Sequence, residues 1–305
     1  MAAPTLNELK AFLEVAEHRS FRKAADARGT SPSTLSHIMR SLETNLGVRL
    51  FNRTTRSVFL TEAGEKFLTR IGPTLRELDS AVDDLGEFRG SPSGTVRINA
   101  PEPAARLLIR DVVPVLKGRY PEISIDIKTE GRLVDIVAEG FDAGVRLGEA
   151  LPQDMIAVRF GGPITFVPVA APAYLDRAGY PQTPDDLARH ECIRQRLPSG
   201  KPYRWEFARH AQEVVVDVPG TLTLDNSRLM ALAAADGQGI AYVPDIVAAD
   251  LVAAGRLVTL LSNWCPQLPG LFLYYPGHRQ VPTGLRALID VLRSVYAQNH
   301  KPDRS

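Results

Sequence analysis

The chain has 305 residues, 44% hydrophobic and 23% charged, a balance that excludes global disorder and leaves room for about two domains of roughly 150 residues. Its 36 Lys plus Arg against 35 Asp plus Glu give a formal charge of +1, so the average over the chain names no partner. The average hides a split, because residues 1–60 carry nine basic and five acidic side chains and are the only segment suited to a polyanion. Cys192 and Cys265 are too few and too far apart for a disulfide framework or a cysteine-based metal knuckle, which points to a reducing, cytoplasmic setting. The charge-mixed start lacks the apolar core of an export signal, and no later window has the uninterrupted apolar run of a membrane span.

In chain order, Leu6, Leu9, Phe12, Leu13 and Ala16 fall at spacings of three and four and predict a helix over residues 5–18. Ser20 starts a second, short helix that Gly29 ends. Ser31 followed by Pro32 supplies a cap and a preorganised first turn for a third, in which Leu35, Met39, Leu42 and Leu46 recur up to Gly47. Val58 to Leu60 reads as half of a small hairpin or wing after the basic turn NRTTR. Thr61 then caps a long helix with an apolar stripe of Phe67, Leu68, Ile71, Leu75, Leu78, Val82, Leu85 and Phe88, in which Pro73 is a candidate bend. Its length points to a linker that also pairs with a second copy; a long helix packed within its own chain is the plainer alternative.

Residues 90–94, GSPSG, have linker composition. Beyond them TVRINA, ISIDI, AGVRLG, ITFVPVA, EVVVDV, GIAYVP and GLFLYYP are strand candidates. They alternate with helical stretches at 104–118, 131–138, 226–235 and 283–297. Strands alternating with helices imply α/β units with parallel or mixed sheets.

A short helix, a turn and a second helix in a positively charged segment have the dimensions of a DNA-reading unit. Ser31, Ser33, Thr34, Ser36, His37 and Arg40 lie in the N-terminal half of the reading helix. Hydroxyls there can bond phosphates, while His37 and Arg40 can reach phosphates or base edges. A solvated polar face has the same pattern. Arg49, Arg53 and Arg56 cluster after this helix, where a wing would follow a phosphate backbone, although Arg53 could equally pair with Glu43 or Glu62.

The runs LxxFLEVAEHRSFxxAA and SPSTLSxxxxSLExxLGVRLFNRTTRxxxLTEAG, over residues 6–64, resemble the N-terminal domain of LysR-type transcriptional regulators. The resemblance implies a winged helix-turn-helix over 1–60, with Ser31 to Leu46 as recognition helix, and a linker and dimerisation helix over 61–89. Met39 stands where an isoleucine or another apolar residue is usual, and His37 replaces a frequent Arg or Lys. The rest of the chain, in pieces such as YPEISIDI, DAGVRLGE, NSRLMALAAADGQGIAYVPD and LFLYYP, is similar to the family's periplasmic-binding-protein-like α/β domain. That similarity implies two lobes over 90–305, the first about 90–162 and 267–298 and the second about 163–266. The fold class is thus α+β and α/β. The implied partners are double-stranded DNA, a second copy of the chain in a homodimer or homotetramer, RNA polymerase and a small-molecule effector.

The resemblance places the effector between the lobes, which on this chain maps to Pro101, Glu102 and Ala104, Arg146, Ser199, and Asn226 with Ser227. Many relatives carry Ser or Thr after the first strand to bind a carboxylate; this chain has Glu102 there, which speaks against an anionic effector at that point. Glu102 would instead accept bonds from a polar or cationic ligand or pair with a nearby arginine, while Arg146 and Ser199 are candidate anion contacts. No cofactor or metal is implied: the motifs HExxH, GxSxG, GxxxxGK[ST] and GxGxxG are absent, and the six histidines form no ligand cluster by spacing. Cys192 near His190 raises the possibility of a nucleophile, against which stands a lone buried thiol. Gly237 and Gly239 fit a tight helix-to-strand turn better than a phosphate cradle. Two other readings are a pure small-molecule-binding protein, which lacks the export signal that role usually carries, and an α/β enzyme, which lacks a catalytic signature.

Overall fold

The computed structural model describes residues 3–53, 58–84, 91–131, 134–147, 154–210, 212–277 and 281–298. The chain divides into two units, Met1–Gly90 with Val137–Gly140, and Ser91–Ile136 with Phe141–Ser305.

In the first unit, α1 (Leu6–His18) starts on a capping box: the Thr5 hydroxyl accepts from Glu8 N and the Glu8 carboxylate from Thr5 N. Helix α2 (Phe21–Arg28) is capped by Ser20 and closed by Gly29. Helix α3 (Pro32–Leu46) is capped by Ser31, whose Oγ accepts from Thr34 N at 3.1 Å, and closed by Gly47. The apolar stripes meet as read from the sequence, with Phe12 and Val15 of α1 and Leu35, Met39 and Leu42 of α3 packed with Leu50, Phe51 and Val58. Strands β1 (Phe51–Arg53) and β2 (Val58–Leu60) pair antiparallel as a wing; residues 54–57, including Arg56, lie outside the described residues.

Helix α4 (Glu62–Asp84) remains one helix across Pro73. Its start packs so closely on the wing that a Cβ at Gly64 would lie 2.2 Å from the Leu50 carbonyl oxygen, a place only glycine can fill. Leu75 is buried, while Leu78 and Val82 on the same stripe are exposed. Leu85 and Phe88 of the expected stripe lie outside the described residues.

Beyond α4 the chain runs β3 (Gly94–Ala100), α5 (Glu102–Leu107), a π-helical turn (Leu108–Val112), α6 (Val113–Arg119), β4 (Ile123–Thr129), α7 (Ile136–Glu139), β5 (Ala143–Leu147), β6 (Met155–Phe160), β7 (Ile164–Ala170) and α8 (Pro172–Ala178). It continues through a 3-10 turn (Pro184–Arg189), β8 (Cys192–Gln195), β9 (Trp205–Arg209), β10 (Gln212–Val216), β11 (Thr223–Leu224), α9 (Ser227–Ala235), β12 (Ile240–Pro244), α10 (Asp245–Ala253), β13 (Val258–Thr259), a 3-10 turn (Ser262–Trp264), β14 (Gln267–Leu268), β15 (Leu271–Pro276) and α11 (Thr283–Gln298). Of the helix expected over 131–138 the described residues hold the single turn α7, and β6, β8, β9, β11, β13 and β14 are strands that the sequence reading did not list. EVVVDV supplies most of β10, which among the described residues pairs with β9, outside both main sheets.

One lobe holds a five-stranded sheet in the order β4-β3-β5-β15-β6, with β3 parallel to β4 and β5 and β15 antiparallel to its neighbours. The other holds a six-stranded sheet, β11-β8-β12-β7-β13, with β14 also on β7. The chain crosses between the lobes twice, at Gly161–Pro163 and at Pro269–Gly270. The return therefore falls after β14, two or three residues later than expected, because Gln267 and Leu268 still pair with Thr165 and Ile164. The two crossings touch: a Cβ at Gly270, whose φ is +95°, would lie 2.3 Å from the Gly162 carbonyl oxygen.

Candidate functional site

Two regions collect the chemistry that the sequence singled out. In the first unit, Ser31, Ser33, Thr34, His37 and Arg40 are exposed along the first two and a half turns of α3, with Ser36 half-buried among them. The Ser31 hydroxyl lies 2.8 Å from those of Ser33 and Thr34, so the helix start presents a knot of hydroxyls. The Ser36 hydroxyl accepts from Arg40 Nη2 at 3.4 Å and from Arg53 Nη1 at 3.1 Å, which brings a guanidinium of α3 and one of β1 onto a single oxygen. Two cations focused on one helix face are suited to a phosphate backbone.

Arg53 is also held from two other sides, by Glu43 at 2.8 Å and over the face of the Phe21 ring at 4.8 Å. Of the two carboxylates weighed for it, Glu43 is the partner. The other oxygen of Glu43 accepts from Leu50 N at 2.9 Å and Phe51 N at 3.1 Å. One side chain of α3 thereby fixes the backbone of the wing and its arginine.

In the second unit a cleft of about 410 Å³ opens between the lobes. Its walls are strand ends: Pro101–Ala104 after β3, Thr129–Gly131 at the end of β4, Arg146 and Leu147 at the end of β5, and Leu271 opposite Leu147. Facing them are Gln195 at the end of β8, Asp225–Ser227 after β11, Pro244 at the end of β12 and Ile246 after it, with Ile164 and Phe166 of β7 alongside. The chain leaves β3 for β4 on one side and reaches β5 on the other, and the crevice outside such a switch point is where α/β sheets hold ligands.

Within this cleft Arg146 is buried, donating to Asn99 Oδ1 at 2.7 Å and to the Val145 carbonyl. Burial pushes its guanidinium below the usual arginine value, and Tyr274 and Glu130 pull it back. Glu102 makes no ion pair with it. Glu102 Oε2 is shielded from solvent and receives no hydrogen bond.

The pattern of the first unit matches the model of the bacterial regulatory helix-turn-helix protein, lysR family, over residues 6–65, and the second matches the LysR substrate binding domain over 89–297. The chain belongs to the LysR family of transcriptional regulators. It is 39% identical to the HTH-type transcriptional regulator YcaN of Escherichia coli strain K12 over 300 residues, covering 97% of this chain and 98% of that one. It is 40% identical to the HTH-type transcriptional regulator PgrR of the same strain over 294 residues, covering 96% of this chain and 98% of that one. Among solved structures it is similar to the full-length Vibrio cholerae virulence activator AphB, with a TM-score of 0.64, 25% identity, and coverage of 96% and 99%. The family is one of DNA-binding regulators rather than enzymes.

In this LysR-type regulator the cleft gathers Pro101, Glu102, Ala104, Arg146, Asn226 and Ser227, and omits Ser199. Ser199 sits exposed in a turn closed by Leu197 N to Lys201 O, because the chain folds back on itself once β8 has ended. Gln195, the last residue of β8, takes the place in the cleft that Ser199 was expected to fill. Asn226 is occupied in capping α9 through Leu229 N at 3.0 Å. Gln195, Phe166 and Thr129–Gly131 also line the cleft and were not expected there; Gln195 pairs with Leu224 just before Asp225, Phe166 with Pro244, and Thr129 with Ala100 just before Pro101, pairings that sequence spacing does not show.

The nucleophile reading of Cys192 is overturned by its surroundings. Its thiol is fully buried, which with neighbouring Glu191 pushes it up to about 12, and His190 bonds instead to the Tyr174 hydroxyl at 3.2 Å. Among the described residues no group of three or more His, Cys, Asp or Glu is placed to hold a metal, and no helix is long and apolar enough to cross a membrane.

Proposed function

We propose that this regulator controls target promoters in response to a small-molecule effector bound in the cleft between its two lobes. Residues 1–60 read double-stranded DNA, with Ser31, Ser33, Thr34, Ser36, His37, Arg40, Arg53 and Arg56 at the contact. Residues 61–89 pair two copies, as a homodimer or a homotetramer, and residues 90–305 carry the effector site of Pro101, Glu102, Ala104, Arg146, Asn226 and Ser227. Effector binding alters how the DNA-reading pairs are placed on the duplex and their contact with RNA polymerase, in the cytoplasm. The observation that carries the reading is the exposed N-terminal half of α3, whose hydroxyls, His37 and Arg40 lie beside Arg53 of the wing. The exposed Leu78 and Val82 on α4 support pairing through that helix.

A genome-wide DNA pull-down with the purified protein tests it. Sharp enrichment of fragments with a palindrome beside an operon is the expected result. Uniform, salt-sensitive retention of all fragments would reduce the N-terminal unit to generic DNA binding and remove the promoter-specific claim.

A further inference from the structure

The polar groups of the cleft are unequal in how far they are satisfied. Three carboxylates, Glu102, Glu130 and Asp225, face one guanidinium, Arg146, among the described lining residues. Arg146 Nη1 donates to the Val145 carbonyl and Nη2 to Asn99 Oδ1, which directs one donor of each terminal nitrogen into the wall of the lobe. Glu130 has Lys128 at 3.5 Å, and Asp225 is exposed to water. Glu102 differs from Asp225 in that its Oε2 is out of contact with solvent and receives no hydrogen bond, and from Glu130 in having no ion pair among the described residues. A carboxylate oxygen removed from water without a donor carries a desolvation cost that a cationic N–H donor cancels best, because the bond is charge-assisted. Around it Ile164, Phe166, Ile246 and Leu271 supply an apolar surface for the body of a ligand.

We propose that the cleft takes a small organic cation, an ammonium or amidinium group on an apolar body, with the Glu102 carboxylate accepting its N–H bonds. The proposal rests on the cleft being the effector site and adds the chemical class of the effector. It separates the two roles left open for Glu102: among the described residues no arginine pairs with it, Arg146 Nη1 and Nη2 being bonded to Val145 and Asn99, and the carboxylate is left for a ligand. An effector carrying only a carboxylate would meet an excess of negative charge, three carboxylates against one guanidinium among the described lining residues.

Isothermal titration and thermal shift of the full-length protein with probe pairs that differ in their charged end provide the test: phenethylamine against hydrocinnamate, benzamidine against benzoate, and cyclohexylamine against cyclohexanecarboxylate. At least one cationic probe should bind and raise Tm, and Glu102→Gln should weaken that binding about tenfold or more in Kd. Glu102→Lys should turn the preference toward the carboxylate member of the pair, which a merely structural role for Glu102 does not do. The near-isosteric Gln variant keeps the result readable if the Lys variant does not fold. Tighter binding of the carboxylates to the wild type, or cation binding indifferent to Glu102→Gln, overturns the cationic class; carboxylate binding that competes for the cleft leaves the effector reading standing. Binding by neither series overturns the proposal and withdraws support from the cleft as effector site as well.

Discussion

Glu8 ties α1 to α3 through one carboxylate. Its Oε2 accepts from Thr5 N at 2.8 Å and its Oε1 from the Ser41 hydroxyl at 2.8 Å, and the residue is buried. The Thr5 N–H foremost, and then the Ser41 hydroxyl, hold its carboxyl below the usual glutamate value. Because the folded value is the lower one, the stabilisation is complete above the unfolded value near about 4.3 and is lost as pH falls through the folded value. Glu8→Gln should therefore cost about 1–3 kcal/mol at pH 7 in denaturant unfolding, a difference that closes under acid conditions; a constant difference across pH would contradict the charge-based account. Glu43 plays the corresponding part for the wing. Glu43→Ala should speed hydrogen exchange at the Leu50 and Phe51 amides, with opening free energy reduced by about 1–3 kcal/mol, while the amides of α1 keep their protection.

At the scale of the element, termini and crossings carry more information than interiors. Ser20, Ser31 and Thr61 each accept a backbone N–H at a helix start, and Gly29 and Gly47 close α2 and α3 in the left-handed conformation that glycine adopts without strain. These local signals were legible because they require only neighbouring residues. Gly270 was not legible in this way, since what constrains it is the carbonyl of Gly162, more than a hundred residues earlier in the chain. Gly270→Ala would combine a positive φ with a clash at the point where the two crossing strands meet. It should destabilise the second unit by at least about 2 kcal/mol, read as a fall in Tm of the whole protein; an unchanged Tm would show that the crossings can move apart.

Over the whole molecule, charge is segregated: residues 1–60 hold nine of the basic side chains against five acidic ones, within a chain of formal charge +1. DNA affinity governed by this segment should fall steeply with salt, and each lost phosphate contact should flatten the slope of log K against log salt by about 0.9. Arg40→Ala is expected to weaken operator binding and flatten the slope by about that amount. Weaker binding at an unchanged slope would move Arg40 from phosphate to base contact, and unchanged binding would remove it from the interface.

The sequence by itself determined the winged helix-turn-helix, the long α4 and the α/β class of the second unit, because apolar period, caps and punctuation act over a few residues and were consistent with one another. It also carried the motifs that mark the family. Only the tertiary structure decided which candidates share a site. Ser199 and Gln195 lie four positions apart in sequence, yet the end of β8 leaves one in the cleft and the turn takes the other out of it. It likewise decided that Arg53 answers to Glu43 rather than Glu62, and that Arg146 bonds Asn99 while Glu102 Oε2 is left without a donor. The physical reason is the same in each case: a side chain's role depends on which partners reach it, and those partners come from strands and helices that sequence spacing does not align.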